Sequence, residues 1–228
     1  MTRGILIVGN ESPAAKALAE AAVSRVQPAL TAFFPNRFSG TAGESSPEAI
    51  NERLIPLDWN PAGPVSARSL VVAAENRLGR LDEAVLVCSP LALRRRADQL
   101  APTEIDALID DQIKGWFFLV RELALIFRAR KAGTLALVLS EVGLGAAKED
   151  ATDLFGASVA ASFRALAQGL LSSSYLESYR VLGFSVTDSG DDADFASFVF
   201  KILDEANAKN SGRWHKYNKG GLFGTRRG

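Results

Sequence analysis

Few side chains in this 228-residue chain could do chemistry, and their spacing sets the first constraint. One histidine (His215) and one cysteine (Cys88) argue against a transition-metal site, which gathers three or four such ligands, and they exclude an internal disulfide. Ser140-Glu141-Val142-Gly143 offers a hydroxyl at the end of an apolar run, able to donate a hydrogen bond. Beyond it, Phe155-Gly156-Ala157-Ser158-Val159 enters a helical pattern with a benzyl and an isopropyl group. Neither group can pass a proton or lower a neighbour's pKa, so Ser140 has no acid or base close to it in that segment. Lys148, in the intervening loop, is the nearest substitute, and a loop lysine is ordinarily only solvated. Tyr175 and Tyr179 follow Phe155 by some 20 residues, roughly 30 Å along a helix at about 1.5 Å per residue. That is too far to act at the same place.

The elements that must position these groups alternate along the chain. Strand-like runs fall at 4–9, 29–34, 53–57, 84–89, 134–140, 180–186 and 212–217, with helices near 13–25, 65–79, 103–130, 152–174 and 192–208. This order predicts an α/β fold: a doubly wound, mostly parallel seven-stranded sheet with helices on both faces, built as a single domain over 1–228. Ser12-Pro13 is a good helix start, with serine as the cap and proline in the first turn. Thr103 with Asp106 gives a weaker start signal of the capping-box kind. Residues 35–51 are rich in Gly and Ser and read as a loop, with a helical turn from Pro47.

Composition bounds the rest. A hydrophobic content of 47% at this length can bury a full core. No run of about 18 uncharged apolar residues exists, so no membrane span is expected. Gly4-Ile5-Leu6-Ile7-Val8 starts a strand with no signal-peptide pattern before it, and the lone cysteine suits a reducing compartment, so a cytoplasmic location is expected. Net charge is zero but uneven: residues 209–228 carry six Lys/Arg and no acid, leaving 20 basic against 26 acidic groups in the first 208. This basic strand and tail, like Arg94-Arg95-Arg96, could meet nucleic acid or an acidic partner. Solvated charge balancing an acidic body is the plainer reading, and nucleic acid is not the expected partner.

Helix 152–174 is crowded with small residues, among them Gly156, Ala157, Ala160, Ala161, Ala165 and Gly169. Small side chains let backbones approach closely, either within one chain or against a second subunit. A homodimer or tetramer through helices 103–130 and 152–174 is the assembly this predicts.

Taken together, several segments resemble the short-chain dehydrogenases/reductases. Ile7-Val8-Gly9-Asn10-Glu11-Ser12-Pro13-Ala14-Ala15 stands where that family has its T-G-x-x-x-G-x-G phosphate loop. Asp58 ends the third strand, Val85-Leu86-Val87-Cys88-Ser89 resembles the strand closing in N-N-A-G, and Gln112-Ile113-Lys114-Gly115-Trp116-Phe117 resembles N-x-x-G-x-F. Ser140 to Gly143 resembles S-x-x-G, Phe155 to Val159 lies at Y-x-x-x-K, and Ser211-Gly212-Arg213-Trp214 with Gly220-Gly221 resembles the last strand and its glycine pair. The resemblance implies a Rossmann fold and an NAD or NADP cofactor held by Gly9, Ser12, Arg37 and Asp58. It also implies a site of which Ser140 and Gln112 are the remnants. The second strand ends without an acid for a ribose hydroxyl, and Arg37 could meet a 2′-phosphate, which favours NADP over NAD. A surface arginine in a loop is the plainer reading of Arg37.

The departures fall on the working positions. Phe155 and Val159 replace the tyrosine and lysine, Gln112 replaces the asparagine, and Pro13 and Ala15 replace two loop glycines. Pro13 adds bulk and removes an N–H where a pyrophosphate should lie, and Glu11 adds negative charge there. Val186-Thr187 stands at the P-G turn, and the chain then runs almost directly into the next helix, leaving little length for a substrate lid. The first expectation is a protein that has lost the hydride-transfer chemistry: a pseudoenzyme, scaffold or nucleotide-sensing subunit. The alternatives are an NADP-dependent oxidoreductase rearranged around Ser140 and Gln112, and a binder of acidic partners or nucleic acid through Arg94–Arg96 and the tail.

Overall fold

The computed structural model describes residues 3–26, 29–34, 53–91, 93, 97–144, 154–188, 190–205 and 210–218. Seven strands form one sheet in the order β3-β2-β1-β4-β5-β6-β7. They are β1 (Ile5–Asn10), β2 (Ala29–Phe34), β3 (Leu54–Pro56), β4 (Glu83–Cys88), β5 (Thr134–Ser140), β6 (Arg180–Val186) and β7 (Arg213–Tyr217). All six strand pairings are parallel, in keeping with the expected doubly wound, mostly parallel seven-stranded sheet. The physical reason is visible in the sequence: a helix follows nearly every strand, so each crossover returns the chain in the same direction.

Helices cover both faces. α1 (Pro13–Val23) and α6 (Asp192–Asp204) bury one face with Ile5, Ile7, Val85, Val138 and Phe184. α2 (Pro64–Leu78), α4 (Gly115–Arg130) and α5 (Leu154–Ser173) bury the other with Leu6, Val8, Leu86, Leu137 and Val181. β1, β4 and β5 are buried along their whole length, which explains why they read as unbroken apolar runs rather than alternating ones.

Two local signals resolve differently. Ser12 caps α1 as its sequence predicts: its backbone is extended and its Oγ accepts from the Ala15 N–H at 3.2 Å. Thr103 does not start the next helix. α3 (Pro102–Ile109) begins one residue earlier, and the Glu104 carboxylate reaches back to accept from the Ala101 N–H at 2.9 Å. The expected helix 103–130 is interrupted by a π-helical turn at Asp110–Lys114 before α4 continues. Such a turn inserts an extra residue and re-aims the side chains around it.

At the N-terminal edge of the sheet, Glu83 is buried at 5% exposure and Arg3 donates to its Oε1. Its Oε2 meets no donor among the described residues. Burial therefore pushes the Glu83 carboxyl above its ordinary range, with Arg3 only partly opposing it. A raised carboxyl favours the folded state below the unfolded value, about 4.3, and that contribution is lost as pH rises through the folded value. Glu83→Gln should abolish this slope. In denaturant titrations across the acid range, its stability relative to the parent chain should rise with pH, and a constant or falling difference would contradict the assignment.

Candidate functional site

The strand order reverses between β1 and β4, so the crevice past their carboxyl ends is the place where an open α/β sheet takes a ligand. Here the chain's own side chains span it. Asn10 ends β1, is 3% exposed, and makes a two-point contact with Ser89 beyond β4. Its Nδ2 donates to the Ser89 carbonyl at 2.5 Å, and its Oδ1 accepts from the Ser89 N–H at 3.0 Å. The Ser89 hydroxyl continues to Ser12 Oγ at 3.0 Å. Asn10, Ser89 and Ser12 thus tie β1, β4 and the start of α1 into one network.

This arrangement limits what α1 can offer an anion. Pro13 has no N–H, and Ser12 Oγ already takes that of Ala15. Two of the first three donors are therefore withheld. The Glu11 carboxylate, paired with Lys16 at 3.1 Å, sits in the turn immediately before the cap. Gly9 has a structural reason of its own: a Cβ there would stand 2.7 Å from the Val87 carbonyl oxygen, so glycine serves the close approach of β1 to β4. Asp58 is exposed on the connection after β3, beside the buried Trp59. Arg37, Lys148 and Arg94–Arg96 lie outside the described residues, as do the turn expected at Pro47 and the tail from 219.

The second group of expected residues gathers beyond β5. Ser140 is the last residue of that strand and 7% exposed. Gln112 lies within the π turn at 3% exposure, and its Oε1 has no hydrogen-bond partner among the described residues. The π turn packs against α5. On α5, Val159 is fully buried, and Phe155 packs on the same apolar cluster, which also contains Ile113, Leu139 and Leu144. The fold brings the neighbours of Ser140 and Gln112 together with Phe155 and Val159, and the shared surface is hydrocarbon. Cys88 is buried at the end of β4; burial first, and Glu141 second, push its thiol far above the ordinary range, so it is no nucleophile.

Neither distant tyrosine approaches this region. Tyr175 is 82% exposed, and Tyr179 packs at a tilt against Phe127 with ring centroids 5.6 Å apart, just before β6 begins. Ser140 pairs with Val186 at the other end of that strand. Two features escaped the sequence reading: the Asn10–Ser89 contact, whose partners are 79 residues apart, and a polar groove beside β7. An asparagine closing a buried strand was the only signal for the first, since a buried amide must find partners.

Asn10→Ala should remove two buried hydrogen bonds and cost about 2 kcal/mol. That corresponds to a fall of about 4–8 °C in melting temperature for a chain of this size, measurable by calorimetry. An unchanged melting point would show that the network carries no weight.

No protein-family model and no characterised protein sequence matches the chain. Solved structures do. The 3-ketoacyl-(acyl-carrier-protein) reductase from Brucella melitensis, complexed with NADH, is similar at a TM-score of 0.72 and 14% identity, over 96% of this chain and 98% of that one. ElxO with NADP bound is similar at 0.74 and 13%, over 95% and 97%. A tyrosine-to-phenylalanine variant of ElxO with NADPH bound gives 0.73 and 13%, over 95% and 97%. Across nearly its full length the chain has the Rossmann fold of the short-chain dehydrogenases/reductases.

Proposed function

We propose that this protein is a non-catalytic member of its fold, acting as a scaffold or sensing subunit rather than as an oxidoreductase. The observation that carries the reading is the pair Phe155 and Val159. Where the fold's reductases would need an acid and a charged partner, Val159 is buried in the apolar core and Phe155 packs, partly buried, against it. Losing a general acid alone costs about a hundred- to ten-thousand-fold in rate. Near the expected active site, Ser140 and Gln112 can hydrogen-bond a carbonyl oxygen but cannot protonate it at neutral pH.

Nucleotide binding is a separate question from turnover. The ElxO variant lacking its phenol still holds NADPH, so the absence of a tyrosine does not by itself argue against a bound dinucleotide. What argues against one is the Asn10–Ser89–Ser12 network, Pro13 and Glu11 at the crevice. An NADP-dependent oxidoreductase rearranged around Ser140 and Gln112, with Gly9, Ser12, Arg37 and Asp58 holding the cofactor, is the competing reading. The Gln112 Oε1 favours it, since a buried acceptor that meets no donor among the described residues suits a bound group.

Thermal shift and turnover assays separate these readings. A ligand at about 100 times its dissociation constant adds about 2.7 kcal/mol of stability. We expect no shift with millimolar NAD, NADH, NADP or NADPH and no oxidation of the reduced forms. A shift without turnover would select the nucleotide-sensing version, and turnover with any carbonyl substrate would overturn the proposal. Val159→Lys should fail to install activity and should destabilise the fold by several kcal/mol, because it places an ammonium in a fully buried apolar site.

We further propose self-association through helices 103–130 and 152–174. Ile105, Ile109, Phe117 and Leu125 are exposed along the first, and Ala157, Ala161, Ala165 and Gly169 line the exposed side of α5. Light scattering at micromolar concentration should give a dimer or tetramer, and Phe117→Glu should shift it toward monomer. A monomeric parent chain would refute the assembly.

A further inference from the structure

At the β7 edge of the sheet, a groove of about 740 Å³ opens between α5 and that strand. Its volume falls within the range of small-molecule sites, about 300–1,000 Å³. Arg164 and Gln168 form one wall, one helical turn apart on the same side of α5. Trp214 and Lys216 form the other, two residues apart on one side of β7. Ser185 of β6 lies between them, in register with Lys216, and Glu141 stands at the mouth.

The aromatic wall is built rather than incidental. The Trp214 indole Nε1 donates to Ser185 Oγ at 2.9 Å. The ring lies over Gly183, where a Cβ would come within 2.6 Å of its Cε3. Any other residue at 183 would push the indole away, so the glycine and the serine fix the ring from two sides. A half-buried tryptophan held in this way presents a rigid flat face at little entropic cost.

The charges of the groove do not cancel. Arg164 donates to the Glu141 carboxylate, which orients the guanidinium and leaves its other N–H groups available. Lys216, across the groove, makes no ion pair among the described residues. Among the described lining residues, two cations against one carboxylate leave a single positive charge. A monoanion neutralises it, whereas a phosphate dianion would leave an excess of negative charge beside Glu141.

We propose that this groove binds a small organic carboxylate whose apolar, planar part lies against Trp214 and whose carboxylate is held between Lys216 and Arg164. Neutral polar groups of the ligand would meet Ser185 and Gln168. The site is independent of the β1/β4 crevice, so it stands or falls separately from any dinucleotide. It gives a non-catalytic chain a ligand of its own to sense. A solvated edge-strand lysine that discourages strand-to-strand aggregation is the competing explanation of Lys216.

The test is a fluorescence titration of the full chain with benzoate, alongside benzamide as its neutral isostere and inorganic phosphate. Trp214 reports the groove, while Trp59 and Trp116 lie within the core. Benzoate should give a saturable change that Trp214→Phe abolishes. Lys216→Gln should weaken it about tenfold, equivalent to about 1.4 kcal/mol, without lowering the melting temperature. Benzamide and phosphate should bind at least about tenfold more weakly, by the same conversion. Equal binding of benzoate and benzamide, tighter binding of phosphate, no saturation with benzoate at millimolar concentration, or an unaffected Lys216→Gln would each overturn the proposal.

Discussion

At Gly9 the backbone of β1 runs so close to β4 that no side chain fits between them, and one residue later Asn10 grips the backbone of Ser89 from both its donor and its acceptor. Both strands are buried on both faces, so their backbone groups have no water to fall back on and must pair with each other. Once this seam is set, β2 and β3 add on one side and β4 carries β5, β6 and β7 on the other. The helices then distribute to the two faces because each crossover must return parallel. The seam is also where a ligand of this fold would enter, so the interaction that closes the sheet competes with the one that would open it to a nucleotide.

Beyond β5 the packing is apolar as well: Val159 is buried with Leu139, and Phe155, Leu144 and Ile113 pack, partly buried, against the same cluster. Apolar contacts of this kind stabilise α5 against the sheet through burial. The π turn beside it carries Gln112, whose amide oxygen meets no donor among the described residues. Polar groups gather farther along α5 and at the β7 edge, where Arg164, Glu141 and Lys216 border a groove walled by a fixed indole.

Much of the architecture was legible before any coordinates. Buried parallel strands need continuous apolar runs, and Ile5–Val8, Ala84–Cys88 and Leu135–Leu139 provide them; Ser12-Pro13 marks a helix start by a purely local hydrogen bond. The start of α3 was misplaced because Glu104 caps Ala101, an alternative the Thr103 signal obscured. The π turn has no signature in residue spacing, and it packs against α5, an element some 40 residues further on.

Residue types alone determined what particular side chains cannot do. A benzyl and an isopropyl group cannot donate protons in any fold, and a proline cannot offer an N–H. What the positions build was decided only in three dimensions. Asn10 meets Ser89 across 79 residues, and Trp214 rests on Gly183 and Ser185 across some 30, because parallel pairing joins strands that the sequence keeps far apart. Spacing along a chain encodes periodicity within one element. It does not encode which two elements lie side by side, so the crevice network and the groove beside β7 belong to the tertiary structure.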